Sequence, residues 1–253
     1  MWAGSLFKSA VSLFKTNVQP NYHEEYVAQL FNQMGPSYEV VNLVSSFGFS
    51  EIWRAQCVRS LRIATESVVA DLMAGSGGCW PYILQRLRPG GRIIAVDISP
   101  VMCHRQKQRA SQQKGNNFEI RHENALTLGL PDASVDYVVS AFGLKTFNED
   151  QLRWLAAQIF RILKTGGTCS LLEISLPESP LLRLPYSIYI NWMIPFLGRI
   201  FLKDIECYRM LGVYTAAFKS CRKVMTCFSD AGFEVAVKQH CWGCATSLIL
   251  KKP

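Results

Sequence analysis

The stretch Asp71-Leu72-Met73-Ala74-Gly75-Ser76-Gly77-Gly78 decides the fold of this chain. It follows the apolar, strand-like run Ser67–Ala70 and precedes a helical pattern. An acidic residue near a strand end, a small-residue turn and a helix start together suit the adenosine end of a cofactor. The glycines let the backbone approach a ligand closely and take positive φ without a Cβ penalty. A dinucleotide fingerprint starting at Gly75 needs a third glycine at position 80, where Trp80 stands. An acidic residue four positions before the first glycine instead suits a cofactor with an amino-acid moiety, such as S-adenosyl-L-methionine.

Outward from this turn the pattern alternates. Strands are expected at Val68–Met73, Arg92–Val96, Phe118–His122, Val135–Phe142 and Thr168–Leu176, with helices at Tyr82–Leu87 and Val101–Lys114 between them. Asn148 and Gln151 have capping-box spacing. The helix they open buries Leu152, Leu155, Ala156, Ile159 and Leu163 and ends at Gly166-Gly167. Strands alternating with helices imply a mostly parallel sheet covered on both faces. Residues 26–64 read as helical, broken around Gly35-Pro36. Pro177–Met210 is apolar and aromatic, 216–231 reads as one helix, and Phe233–Gln239 with Thr246–Leu250 read as a terminal strand pair. One domain over 1–253 is expected: N-terminal helices (1–64), a cofactor-binding core (65–177), an inserted helical cap (178–215), and a C-terminal helix and strands (216–253).

Composition narrows the function. The 253 residues are 49% hydrophobic and only 18% charged, which suits a large core with an apolar pocket or a membrane-facing surface. The net charge of +8 is spread over helices, with clusters at Arg105–Arg109 and Lys219–Lys223 that read as solvated faces. Nucleic acid is therefore not an expected partner, whereas anionic lipid or a pyrophosphate-bearing substrate fits better. The odd count of nine cysteines argues against a disulfide framework and for a reducing compartment. Cys241-Trp242-Gly243-Cys244 has redox spacing but lacks the strand-to-helix setting that lowers a thiol pKa, and no metal site is expected. No run reaches the roughly 18 apolar residues of a spanning helix. The nearest, Leu184–Leu202, is interrupted by Pro185, Asn191, Pro195 and Arg199.

Met1–His23 has no acidic residue, and helical phasing sets Lys8 and Lys15 opposite Trp2, Leu6 and Leu13. An interfacial amphipathic helix, a mitochondrial presequence and a helix packed on the domain all match this pattern. The expected location is cytoplasmic with membrane association, or the mitochondrial matrix if the segment is a presequence.

Two further positions carry cofactor chemistry. Asp97 ends the second strand, where a carboxylate can accept both ribose hydroxyls, or serve simply as a helix cap. Asn124 follows the third strand, where an amide can read the adenine edge.

These segments resemble the ubiquinone/menaquinone C-methyltransferase family, S-adenosylmethionine-dependent enzymes of the class I methyltransferase fold. The resemblance rests on Tyr38-Glu39-Val40-Val41-Asn42, Ser46-Phe47-Gly48, Trp53-Arg54, Asp71–Gly77, Asp97-Ile98-Ser99, Asn124-Ala125, Phe142-Gly143-Leu144, Leu172-Glu173 and Tyr208-Arg209. Residues 1–37 have no counterpart in it. It implies a Rossmann-like three-layer α/β sandwich with a seven-stranded, mostly parallel sheet and a C-terminal antiparallel strand. The expected cofactor set is Asp71, Gly75, Ser76 (usually Thr in the family), Gly77, Asp97, Ile98, Met102, Asn124, Ala125 and Ala141. Tyr38, Asn42, Phe142, Tyr189 and Trp192 are expected to bind the acceptor, and Tyr208 to face it.

The departures lie on the acceptor side. Where the family writes Ser-Phe-Gly-Leu-Arg-Asn, this chain has Ala141-Phe142-Gly143-Leu144-Lys145-Thr146, with Ser140 adjacent, and Tyr214 stands at a family Ser position. Lys is a compact charge that cannot copy the bidentate fork of Arg. For a quinol-like acceptor, Lys145 is expected to stabilise the ring anion, Tyr208 to hydrogen-bond the same oxygen, and Glu173 to act as base. For an alkene acceptor, Tyr189, Trp192 and Phe196 would stabilise a carbocation. Three functions follow: C-methylation of a lipophilic, quinol-like or prenylated acceptor; O-, N- or arsenic methylation, the last needing convergent cysteines among Cys169, Cys207, Cys241 and Cys244; or cofactor binding without transfer. Peripheral membrane contact and a homodimer complete the expected partners.

Overall fold

The computed structural model describes residues 19–35, 38–113, 117–177, 179–189 and 206–253. Three helices, α1 (Glu24–Met34), α2 (Tyr38–Ser45) and α3 (Phe49–Arg59), precede the sheet. The expected helical region thus breaks twice. The second break is the Ser46–Gly48 turn, where Phe47 and Gly48 both adopt positive φ.

The chain then runs β1 (Val68–Leu72), α4 (Trp80–Leu84), β2 (Arg92–Asp97), α5 (Pro100–Ser111), β3 (Asn117–His122) and β4 (Val135–Ala141). It continues through α6 (Glu149–Ile162), β5 (Leu163–Ile174), α7 (Pro180–Ile188), α8 (Glu206–Phe218), α9 (Arg222–Asp230), β6 (Glu234–His240) and β7 (Ala245–Lys251). Among the described residues, these seven strands form one sheet of order β3-β2-β1-β4-β5-β7-β6. All neighbours are parallel except β7, which runs antiparallel to both β5 and β6.

The central strands are buried on both faces, so Val69, Ala70, Ile93 and Ala95 form continuous small or β-branched runs rather than alternating ones. The edge strand β6 exposes Glu234 and Lys238, which discourages pairing with another chain. On one face, Leu155 and Ile159 of α6 pack with Val224 and Phe228 of α9. On the other, Trp53 and Val58 of α3 pack with Trp80 and Ile83 of α4. A third cluster joins Met34 and Val41 to Met102, Met210 and Tyr214, fastening the N-terminal helices and α8 over one end of the sheet.

Several boundaries differ from the sequence expectation, and two of them have a clear cause. Helix α6 stops at Ile162, because Leu163 takes extended geometry and pairs with Val135, so Ile162 fills the buried stripe assigned to Leu163. The expected helix over 216–231 is two helices, with a break at Lys219, whose φ is positive.

The capping box is present. Asn148 Oδ1 accepts from Gln151 N–H at 2.9 Å, and Gln151 Oε1 accepts from Asn148 N–H at 3.0 Å. Gln151 Nε2 also donates to Tyr22 O at 3.0 Å, so the same residue fastens the chain leading into α1. Asn148→Ala is expected to cost about 1 kcal/mol of stability. Thermal unfolding should show the midpoint falling by about 2–4 °C.

Candidate active site

Winding of the sheet reverses between β1 and β4, and a crevice opens beyond the carboxyl ends of such strands. The cleft here is lined by Asp71, Gly75, Ser76, Asp97, Ile98, Asn124, Ala125 and Ala141. The parallel register causes this convergence: Leu72 pairs with Val96, and Asp71 with Val139.

The glycine turn is held from several sides. Gly75 and Gly77 have φ of 56° and 83°, and a Cβ on Gly77 would lie 2.7 Å from the Trp80 ring, so alanine is excluded there. Asp97 Oδ2 accepts from Gly75 N–H at 2.7 Å, and its Oδ1 accepts from Ser99 N–H at 2.9 Å. Gln106 Nε2 donates to Gly75 O at 2.6 Å. Both Asp97 oxygens keep lone pairs for ribose hydroxyls. Burial raises the Asp97 carboxyl to about 6, against the pull of its Ser99 and Gly75 N–H donors. Burial raises Asp71 further, to about 7, opposed by the Trp80 indole and the charges of Arg54 and Arg109.

Two buried atoms in this cleft are under-satisfied: Asn124 Nδ2 has no hydrogen-bond partner, and Asp71 Oδ2 has none beyond the nearby Trp80 indole, which does not reach a well-formed bond. A buried polar atom without a partner costs about 1–3 kcal/mol, so a ligand in this cleft that satisfies both is favoured. Asp71 suits an ammonium group. Asn124 Oδ1 accepts from Leu126 N–H at 2.9 Å, which leaves the amide to donate. That suits a ring nitrogen with a lone pair. An adenosine joined to an amino acid supplies both groups, so these residues fit S-adenosyl-L-methionine.

A second, smaller cavity lies beside the first. Tyr38 and Phe142 line both. Asn42, Trp53 and Lys145 line the second, with Thr215 and Leu211 of α8. Phe142 holds a φ of 68°, a strained value for a bulky residue, fixed by its N–H bond to Leu172 O at 2.8 Å. The Arg54 guanidinium sits 5.1 Å from its ring centroid.

The sequence profile of the ubiE/COQ5 methyltransferase family matches residues 19–251. The chain belongs to that family. The match begins well before Tyr38, so the α1 region, which had no counterpart in the sequence reading, is part of it. A demethylmenaquinone methyltransferase of Lactiplantibacillus plantarum is 30% identical over 85% of this chain and 90% of its own length. One from Listeria welshimeri is 29% identical over 83% and 88%. Among solved structures, a SAM-dependent methyltransferase from Aquifex aeolicus superposes with a TM-score of 0.58 at 15% identity, covering 85% of this chain and 98% of that one. A Thermotoga maritima SAM-dependent methyltransferase gives 0.59 at 19% identity, covering 91% and 100%. These two likenesses establish the fold. The protein is an S-adenosyl-L-methionine-dependent methyltransferase.

Within this methyltransferase the expected residues separate into groups. Gly77 supports the turn without lining the cleft. Met102 is fully buried in the helical cluster and lines neither cavity. Ala141 lines the cleft but Ser140 does not, because successive strand residues face opposite sides, so Ser140 is no substitute for the family serine. Glu173 is wholly buried and lines neither cavity. Its Oε1 accepts from Lys145 Nζ at 2.9 Å and Ile174 N–H at 2.8 Å, and its Oε2 from Lys145 N–H at 3.0 Å. Lys145 Nζ also donates to Phe142 O at 2.5 Å.

Tyr189 stacks on Phe47 at 5.9 Å, apart from the residues lining either cavity. Trp192, Phe196, the side chain of Tyr208 and the N-terminal segment 1–18 lie outside the described residues. Tyr214 is fully buried and its hydroxyl donates to Asn21 O. Cys169, Cys241 and Cys244 line neither cavity, and burial pushes the Cys244 thiol up to about 11. Among the described residues no group of His, Cys, Asp or Glu could hold a metal, and no helix is long and apolar enough to cross a membrane.

Sequence reasoning missed Tyr22, Glu24, Arg54 and Gln151 in the cleft lining. Arg54 had a signal in its place beside Trp53 in a family segment. Tyr22 and Gln151 come together over 129 residues of sequence, and no local pattern announces such a contact.

A carboxylate with a raised pKa keeps its proton in the fold at pH values where the unfolded chain has lost it. Its contribution is therefore greatest at low pH, and the ligand-free protein loses stability as pH rises through about 6–7. An ammonium ligand needs the ionised form, so affinity for S-adenosyl-L-methionine should fall as pH drops below about 7. Calorimetry across this range should show a markedly flatter profile for Asp71→Asn.

Proposed function

We propose that this enzyme methylates a ring carbon of a lipophilic quinol carrying a prenyl-type tail. The observation that carries the reading is the second cavity, which shares Tyr38 and Phe142 with the cofactor cleft and has buried Lys145 in its wall. An acceptor there lies against the donor cleft, and alignment of the two reactants contributes about 7–11 kcal/mol to catalysis. The names of the relatives, demethylmenaquinone methyltransferases, support a quinone-type ring.

S-adenosyl-L-methionine supplies an electrophilic methyl group on a sulfonium. The protein's task is to make the acceptor carbon electron-rich and to exclude water. An ammonium has three N–H donors. Lys145 commits two, to Phe142 O and Glu173, and the third is assigned to the ionised quinol oxygen. That bond favours loss of the hydroxyl proton and pushes electron density onto the ring. Methyl transfer would release the thioether S-adenosylhomocysteine and leave a dienone, whose ring carbon then loses its proton to solvent, so that the ring returns to an aromatic quinolate on Lys145. Glu173 acts as a positioning residue, because its oxygens already hold three N–H groups.

The outer face of α2 supports a greasy acceptor. Val40, Leu43 and Val44 are 50%, 47% and 41% exposed, while Tyr38 and Asn42 on the same helix line the cavity. We read this face, with Phe47 at its tip, as the side from which a prenylated acceptor arrives from a membrane surface.

The test is turnover with a reduced prenylated naphthoquinol against its oxidised quinone: only the quinol should gain a methyl group. Lys145→Met is expected to lower kcat about 100-fold or more. It also strands Glu173, costing about 3–5 kcal/mol of stability. The double variant Lys145→Met, Glu173→Leu should recover most of that stability and none of the turnover. Recovery of turnover in the double variant would remove Lys145 from the chemistry.

A further inference from the structure

Glu39 stands on α2 between Tyr38 and Asn42, two of the three residues, with Ser45, that this helix gives to the second cavity. Its side chain does not line either cavity. Instead Glu39 Oε1 accepts from the Ser76 hydroxyl at 2.5 Å and from Arg109 Nη1 at 3.0 Å. Arg109 Nη1 also donates to Ser76 O at 3.2 Å. One carboxylate thus joins the acceptor helix, the glycine turn and α5.

The same turn is tied to α5 a second time, through Gln106 and Gly75 O. Gln106 and Arg109 are three residues apart on α5, on one face of the helix. They hold two successive carbonyls of the turn. Any shift of the turn is therefore felt at Arg109, and through Glu39 at α2.

We propose that Glu39 is a positioning residue that couples the cofactor turn to the acceptor wall, so that filling the first orders the second. Because Glu39 takes the Ser76 hydroxyl hydrogen, Ser76 Oγ turns its lone pairs to the cleft and accepts from a cationic ligand there. A ligand on Ser76 draws electron density from that oxygen and strengthens the bond the hydroxyl donates to Glu39. Order at α2 and occupancy of the turn then favour each other, and by linkage the coupling runs in both directions. Binding of the donor thereby completes the pocket for the acceptor. This rests on the reading of the second cavity as the acceptor site, but its test needs no acceptor.

Amide hydrogen exchange, followed by mass spectrometry over residues 38–48, reads the order of α2 directly. Each variant is measured without ligand and at a concentration of S-adenosyl-L-methionine that saturates it. In the wild-type chain the ligand should slow exchange of this segment about fivefold, the lower end of common coupling strengths. Glu39→Gln and Ser76→Ala should bind the ligand and show no such slowing. Ser76→Thr, which keeps the hydroxyl, should restore it. Should Glu39→Gln not fold, Ser76→Ala makes the same comparison with loss of a single hydroxyl. Equal slowing in wild type and Ser76→Ala, or no slowing in wild type, would overturn the coupling. Failure of quinol methylation with the exchange pattern intact would instead count against the acceptor assignment alone.

Discussion

The carboxylate of Asp97 holds two backbone N–H groups from separate segments, Gly75 in the glycine turn and Ser99 at the start of α5. The donor site depends on this clasp. It joins the loop after β1 to the loop after β2, and it can form only because the parallel register brings both strand ends to one edge. Burying that carboxylate has a cost, visible in its raised pKa. Asp71 beside it adds a second desolvated acid, raised further still. A fold that keeps two reluctant acids and an unsatisfied amide in one cleft gives up stability for ligand binding. A zwitterionic nucleoside resolves those demands together.

The acceptor side rests on a different interaction, the buried pair between Lys145 and Glu173. Pairs of this kind contribute little net stability, but loss of one partner is costly. The pair therefore fixes Lys145 more firmly than a surface lysine could be fixed. It also means that the cavity does not meet a bare cation. In the proposed reading the acceptor would meet a compact N–H donor of a neutralised pair, where an Arg would present a planar fork. The two cavities share Tyr38 and Phe142, so a change in that common wall alters both.

Much of this was legible in the sequence, for reasons of period and spacing. Continuous apolar runs marked the buried parallel strands, Asn148 and Gln151 marked the start of α6, and the Asp71–Gly77 spacing marked the donor. The illegible parts depend on contacts between distant segments. Glu173 reads as a base at a strand end, yet the backbone after β4 brings Lys145 N–H and Nζ onto it. Leu163 reads as the last turn of a helix, yet pairing with Val135 draws it into β5. Ser140 is adjacent to the position of the family serine in sequence, and the two-residue period of a strand turns it to the other face. Met102 has helix phasing that fits either cleft or core, and the arrival of α1 and α2 decides for core.

Which atom of the acceptor is methylated decides whether Lys145 activates the ring or holds the reacting oxygen. Incubation with isotopically methyl-labelled S-adenosyl-L-methionine and a reduced prenylated naphthoquinol, followed by NMR of the product, gives the answer. A label on a ring carbon next to a hydroxyl-bearing carbon is the predicted result. A label on the phenolic oxygen would contradict it, because Lys145 would then be holding the atom that reacts and not the one that activates it.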